Sequence, residues 1–174
     1  MERFEGEAII KKLFIPVFAI VCLNSCINPF APKIDANLGR NQGLISDQKN
    51  IQGVFQNFQY AYTFKDTLIY SKLLNGNFSF SYRDYDIGAD VSWGRDEELK
   101  VTNGLFQNCQ RLDLIWNEIT SITGDSTEIT RSFNLTITFN PTYIIYVDGR
   151  VDLILAKDPD NKWKILHWVD ESNF

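Results

Sequence analysis

The chain contains one histidine, His167, in an alternating stretch near its C-terminus. An imidazole or a carboxylate can act as a general base when an apolar surround tunes its pKa and the substrate proton is within hydrogen-bond reach. His167 shares the parity of Trp163 and Ile165, so on a regular strand these side chains lie on one face. Asp84 is the carboxylate candidate because it shares the parity of Tyr82 in another alternating stretch. If both faces line one pocket, Asp84 and His167 could move a proton; the alternative is a packed or interface histidine.

Large aromatic residues accompany these two candidates. Tyr82 and Trp116 are expected to point inward as pocket walls, and Trp93 directly precedes a predicted helix, where it could act as a lid. The alternatives are that these aromatics are ordinary core residues, or that they form a platform that binds a small ligand without chemistry. The predicted pocket residues are Tyr82, Asp84, Trp93, Trp116 and His167.

The acidic segment around Gly88 resembles a calcium loop only superficially. Asp84, Asp86 and Asp90 alternate, but Gly88 comes one position early for an EF-hand, and Arg95 stands where the bidentate glutamate belongs. A solvated acidic turn is the favoured interpretation. The sequence also contains no Cys/His cluster for zinc and no glycine-rich phosphate loop. We therefore expect no metal and no cofactor.

The N-terminal segment predicts export and lipid attachment. Lys11 and Lys12 precede the apolar run Leu13–Val21, which is too short to span a bilayer comfortably and is typical of a signal-peptide core. It ends in Leu23-Asn24-Ser25-Cys26, which resembles a bacterial lipobox. We expect a signal peptide over residues 1–25, and a lipidated Cys26 with a flexible tether over 26–45. The chain would then lie in the bacterial cell envelope, facing the periplasm or the cell exterior. The alternative is an ordinary secretory signal or a membrane anchor.

Composition restricts the partners. The formal net charge is −5, and cleavage before Cys26 would remove equal numbers of basic and acidic residues. A mildly acidic surface argues against nucleic acid and against electrostatic docking on anionic lipid. With 44% hydrophobic residues, one compact domain with a real core is expected over residues 46–174.

Hydrophobic spacing predicts helices in the first half of that domain. Ser46 or Asp47 could cap a long helix, and Asp66 a second, shorter one. The segment 94–106 reads as a third helix, with Asp96, Glu97 and Glu98 in its first turn, where the helix dipole favours negative charge. The long helix has an aromatic-rich stripe formed by Ile51, Val54, Phe55, Phe58 and Tyr62.

Period-two alternation predicts strands at 78–83, 112–117, 129–139, 143–156 and 163–170. Asp148-Gly149 looks like a hairpin turn, but the same parity continues through it, so we expect a bend or bulge within one long strand. In the last strand Trp163 and Ile165 would lie on one face and Leu166 and Trp168 on the other. A strand with two apolar faces is usually covered on both.

The order helix, helix, strand, helix and four strands resembles the nuclear-transport-factor-2-like superfamily from about Ser46 to the C-terminus. That group includes polyketide-cyclase-like (SnoaL-like) and ketosteroid-isomerase-like proteins, and uncharacterised bacterial lipoproteins carry the domain. The resemblance implies an α+β, cystatin-like cone, in which three helices from the N-terminal half pack in the concave face of a strongly curved antiparallel sheet. It also implies a pocket at the open end and homodimers across the outer sheet face. The sequence-level support is in two segments, Val147-Asp148-Gly149-Arg150-Val151-Asp152-Leu153 and Lys162-Trp163-Lys164-Ile165-Leu166-His167-Trp168-Val169-Asp170-Glu171.

Three functions are compatible with these observations. The favoured one is a lipid-anchored, non-catalytic domain that binds a small apolar ligand or a protein partner in the cone pocket. The second is a lyase or isomerase that uses Asp84 and His167. The third is a dimeric scaffold whose pocket is filled by its own side chains.

Overall fold

The computed structural model describes residues 43–125 and 127–172. The predicted signal peptide, Cys26 and most of the predicted tether lie outside the described residues. None of the helices in the described part is long and apolar enough to cross a membrane. The elements are α1 (Ile51–Phe64), α2 (Thr67–Leu73), β1 (Leu74–Asp84), β2 (Ala89–Gly94), α3 (Arg95–Asn108), β3 (Arg111–Ile122), β4 (Glu128–Asn140), β5 (Tyr143–Lys157) and β6 (Trp163–Ser172).

Side-chain caps fix where the first two helices begin. Asn50 caps α1 by accepting a hydrogen bond from the Gly53 N–H at 2.8 Å. The expected cap at Ser46 or Asp47 is therefore wrong. Ser46 lies before the helix, where its N–H donates to the buried Asn57 side chain. The predicted cap of α2 is confirmed, since Asp66 accepts from the N–H groups that open that helix.

The strands form one six-stranded sheet in the order β2-β1-β6-β5-β4-β3. The expected antiparallel pairing is found for every neighbouring pair except β1 and β6, which run parallel and make the sheet mixed. Strand β2 was also not predicted. It pairs with β1 across a short turn, and the acidic segment around Gly88 is the exposed tip of this hairpin.

The buried aromatic stripe of α1 packs against the inner face of the sheet, which we define as the face carrying Phe80, Phe133 and Leu153. Apolar side chains that alternate along a strand meet those of their neighbours on one face, and the helices cover that face. Register shifts in β1, β3 and β6 bend the sheet. The predicted α+β architecture of three helices against a curved sheet is confirmed.

A bulge at Leu166 changes the orientation of half of β6. His167 pairs with Ile154, but Ile165 pairs with Leu155, so Leu166 is an extra residue in the ladder. An extra residue reverses the parity of everything that follows it. Ile165 and Trp168 therefore both point inward and are buried. The prediction of two apolar faces on this strand is wrong for that reason.

Strand β5 continues through Gly149 as one long strand, as predicted, but the bulge proposed at this glycine is absent from the register. Gly149 pairs with Phe133 on one side and Ser172 on the other, without a register shift. A Cβ at this position would lie 2.6 Å from the Ser172 Cα. Glycine is needed here because the neighbouring backbone approaches too closely for a side chain.

Candidate functional site

A cavity of about 1200 Å³ lies between α1, α3 and the inner face of the sheet. Nine aromatic residues of the described chain contribute to its wall, together with aliphatic and polar side chains. Phe58 lies at the centre of an aromatic cluster and makes edge contacts with Trp116 and Trp168 at ring-centroid distances of 5.3 Å each. The aromatic residues that border the cavity are Phe58, Tyr62, Phe80, Tyr82, Tyr85, Trp93, Trp116, Phe133 and Trp168.

Four of the five predicted pocket residues border this cavity: Tyr82, Asp84, Trp93 and Trp116. His167 does not, because the bulge turns it to the outer face of the sheet. There its Nδ1 atom lies 2.5 Å from the Ser79 Oγ atom on the neighbouring strand. Asp84 and His167 therefore lie on opposite faces, and the predicted proton-transfer pair is not assembled.

Asp84 and Trp93 have specific structural partners. The Asp84 carboxylate accepts hydrogen bonds from the N–H groups of Asp86 and Ile87 at 3.0 and 3.2 Å, and these bonds stabilise the β1–β2 turn. Trp93 stacks on Phe80 with a centroid distance of 4.5 Å. It lies within β2 and forms part of the wall, and its role as a lid stays a prediction.

Glu98 is a buried carboxylate at the cavity wall, with only 4% of its surface exposed. It accepts hydrogen bonds from the Tyr70 hydroxyl at 2.5 Å, the Thr102 hydroxyl at 2.9 Å and the Trp93 indole N–H at 2.7 Å. These donors come from α2, α3 and β2. A carboxylate with several donors is stabilised far better than an isolated one.

Sequence reasoning missed Glu98 because the helix-dipole argument applies equally to Asp96 and Glu97. The sequence pattern that could have identified Glu98 is its four-residue spacing with Thr102 and Phe106, which are the other buried residues of α3. Residues four apart lie on the same face of a helix. Phe106 therefore marked the buried face.

Asp170 is a further carboxylate that borders the cavity. It lies between Val151 and Tyr82 in the sheet, and its carboxylate accepts from the N–H and hydroxyl of Ser172. Burial raises the pKa of Asp170, and the charge of Glu98 adds to the effect. A regular alternation along the last strand predicts Asp170 on the face opposite His167, which was expected to point outward. For this reason the sequence did not identify Asp170 as a cavity residue.

Tyr62 is close enough to both carboxylates that their charges affect its hydroxyl. Burial raises the pKa of its hydroxyl far above the ordinary value of 10.0, and the charges of Glu98 and Asp170 raise it further. Tyr62 therefore stays protonated and is a neutral hydroxyl on the wall at physiological pH.

Among the described residues, the two basic side chains that border the cavity are paired with carboxylates that also border it. Arg83 pairs with Asp90 at 2.9 Å, and Arg150 pairs with Glu171, in both cases as half-exposed groups. Within residues 43–125 and 127–172, no Lys or Arg forms a salt bridge with Glu98 or Asp170. The same ranges contain no group of three or more potential metal ligands.

Arg131, the one break in the apolar face of β4, is accommodated by aromatic packing. Its guanidinium lies 4.5 Å from the centroid of Phe55 and 5.7 Å from that of Trp116. Its Nε–H donates to the Asn117 carbonyl at 2.8 Å. Burial lowers the pKa of Arg131, although the group stays charged at any physiological pH.

No protein-family model matches the sequence, and no curated protein matches it. Solved structures match in fold. A conserved protein from Planctomyces limnophilus aligns with a TM-score of 0.60 and 13% identity, over 71% of this chain and 93% of that one. A candidate scytalone dehydratase from Novosphingobium aromaticivorans aligns with a TM-score of 0.61 and 13% identity, over 71% and 82% of the two chains.

A candidate dehydratase of the NTF2-like family from Streptomyces avermitilis aligns with a TM-score of 0.57 and 17% identity, over 74% of this chain and 96% of that one. At such identities the likeness shows the fold alone. The described domain has the nuclear-transport-factor-2-like fold, as predicted. Proteins with this fold often bind ligands or act as dehydratases or isomerases, so function has to be argued from the cavity itself.

Proposed function

We propose that this protein is a lipid-anchored, non-catalytic binding domain that holds a small, largely apolar molecule in its cavity. The observation that carries the proposal is the cavity of about 1200 Å³ with its aromatic wall. Ligand pockets are typically several hundred to about 1000 Å³, mostly apolar, with a few polar groups that orient the ligand. Glu98, Asp170 and Tyr82 supply such polar groups here.

Two alternatives are weaker. A lyase or isomerase built on Asp84 and His167 lacks its base, because His167 faces away from the cavity. A scaffold whose pocket is filled by its own side chains does not fit a cavity of this volume. A partner protein is also disfavoured as the cavity's occupant, since the aromatic groups are recessed between helices and sheet.

A cavity-filling substitution tests the proposal. Val151 borders the cavity and is fully buried, so Val151→Phe places an aromatic ring inside it. We expect an apolar fluorescent dye that binds the wild-type protein to lose its binding to this variant. Ile144→Phe, which enlarges a side chain that is 40% exposed, is the matched control and should bind the dye normally. Equal dye binding by the folded Val151→Phe variant would refute a ligand site in the cavity.

The proposed anchor is tested separately. Cys26 would receive the lipid and hold the domain at the bacterial cell envelope, facing the periplasm or the exterior, since acyl chains at one cysteine give stable attachment. Mass spectrometry of the membrane fraction should find residue 26 as a modified N-terminus, and Cys26→Ala should release the protein from that fraction. An unmodified N-terminus upstream of residue 26 contradicts lipidation.

The outer face of the sheet is the proposed homodimer surface. No described helix covers it, and its exposed apolar side chains include Ile115, Tyr146 and Ile154. Sedimentation velocity should show a dimer that Ile154→Lys dissociates. A monomer at all concentrations would exclude this partner. The net charge of −5 makes nucleic acid an unexpected partner.

A further inference from the structure

We infer that the cavity selects a ligand that carries a cationic amine on an apolar body, with Asp170 and Glu98 as the opposing charges. This inference rests on the proposed function and adds the chemical class of the ligand. Its basis is the distribution of charge around the cavity together with the aromatic wall.

Two carboxylates, Glu98 and Asp170, border the cavity on its inner side, whereas the inner-face cation Arg131 packs on Phe55 and Trp116 and does not border the cavity. Glu98 is held in place by three donors from different elements, and Asp170 projects from the inner face of β6. The arginines at the border, Arg83 and Arg150, are paired with other carboxylates. The described part of the cavity therefore contains negative groups without a protein cation opposite them.

A buried carboxylate without a cation partner is unfavourable, because hydrogen-bond donors offset only part of the lost hydration. The raised pKa of Asp170 has this origin, since its causes are burial and neighbouring negative charge. An ammonium group on a ligand would supply the missing counter-charge in a partly desolvated site, where the attraction is stronger than in water. A ligand carboxylate would be repelled for the same reason.

The aromatic wall suits the same ligand. Ring faces attract cations through their quadrupole, most strongly for tryptophan and tyrosine. Tyr82 and Trp93 lie with ring centroids 5.8 Å apart, and Tyr82 is the sheet neighbour of Asp170. An ammonium group at this position would contact both a carboxylate and aromatic rings, while the remaining wall would cover an apolar body.

Trp168 is an aromatic residue of the wall whose indole nitrogen is enclosed by protein atoms. It borders the cavity, is only 7% exposed, and its indole N–H has no hydrogen-bond partner among the described residues. A buried N–H without an acceptor costs free energy.

Three probes that share one ring system test the charge preference. Naphthylmethylamine is cationic at neutral pH, naphthylmethanol is neutral, and naphthoate is anionic. Isothermal titration calorimetry on the wild-type protein should show the amine binding at least about tenfold more tightly than the alcohol. Naphthoate should bind more weakly than the alcohol.

Charge-removing variants locate the preference. Asp170→Asn and Glu98→Gln should each substantially reduce the preference for the amine over the alcohol, because each removes one negative charge. Each amide can still accept hydrogen bonds, from Ser172 in the first case and from the Tyr70 and Thr102 hydroxyls in the second. Glu118→Gln is the matched control, because it removes the same charge from an exposed position on β3. Circular dichroism verifies that each variant is folded.

The outcomes separate the inference from the proposed function. Equal or tighter binding of the alcohol overturns the amine preference but leaves cavity binding intact. An unchanged preference in the folded Asp170→Asn and Glu98→Gln variants also overturns it. Failure of the amine to displace a cavity-bound apolar dye overturns the amine preference as well. Dye binding that is unchanged by the Val151→Phe substitution instead refutes the proposed function itself.

Discussion

Replacing Tyr70 by phenylalanine measures how strongly the buried Glu98 network contributes to stability. The Tyr70 ring is completely buried, and its hydroxyl donates to the Glu98 carboxylate at 2.5 Å. Tyr70→Phe keeps the ring and removes one donor. A hydrogen bond to a charged group contributes roughly 1.5–3 kcal/mol. Since Trp93 and Thr102 remain as donors, we expect a loss of about 2 kcal/mol in the free energy of unfolding.

The assay is urea denaturation followed by tryptophan fluorescence, supported by a thermal melt in which the Tm should fall by about 7 °C. Tyr146→Phe is the matched control, because Tyr146 is 73% exposed and its loss of a hydroxyl should change stability by less than about 0.5 kcal/mol. A double-mutant cycle of Tyr70→Phe with Glu98→Gln should give a coupling energy of about 1 kcal/mol or more. Equal effects of the two Tyr→Phe substitutions, with an additive cycle, would refute the network.

Three further predictions concern the wall and the sheet. Burial raises the pKa of Asp170 above its ordinary value of 3.8, so the native state binds the carboxyl proton more tightly than the unfolded chain does. The charged carboxylate therefore destabilises the native state increasingly as the pH rises from the unfolded-state pKa to the native-state pKa. Asp170→Asn should therefore melt higher than the wild type at pH 7 and lose this advantage on acidification; a lower melting temperature at pH 7 contradicts the assignment. Gly149→Ala should destabilise the protein by about 2 kcal/mol or more because its Cβ meets Ser172, whereas Gly104→Ala, in open space on α3, should stabilise it by about 0.5–1 kcal/mol. Since His167 lies outside the cavity, His167→Ala should leave dye affinity unchanged in a fluorescence titration, and a marked loss in the folded variant would place the histidine at the site after all.

The local patterns predicted most of the secondary structure. The apolar stripe of α1 and the alternation of β4 and β5 depend on spacing along the chain, which the structure preserves. The same reasoning predicts Tyr82 and Trp116 on the cavity wall, because the register is regular up to each of them and β3 shifts register only after Trp116. Asp66 was recognised as a helix cap because capping is a contact with the next few residues.

The errors involve interactions between distant residues. Strand β2 is short and half exposed, so its alternation carried little hydrophobic contrast, and pairing with β1 decides its conformation. Glu98 looked like an ordinary acid of a first helical turn, because its donors Tyr70 and Trp93 belong to other elements.

The sequence by itself determined the order of the helices and of every strand except β2, their buried faces where the ladder is regular, and the fold that this order resembles. Only the tertiary structure decided which carboxylate faces the cavity. One extra residue at Leu166 turned His167 outward and Asp170 inward. A bulge arises from the register between β5 and β6, and strand register is a property of paired strands that the alternation within a single strand does not contain.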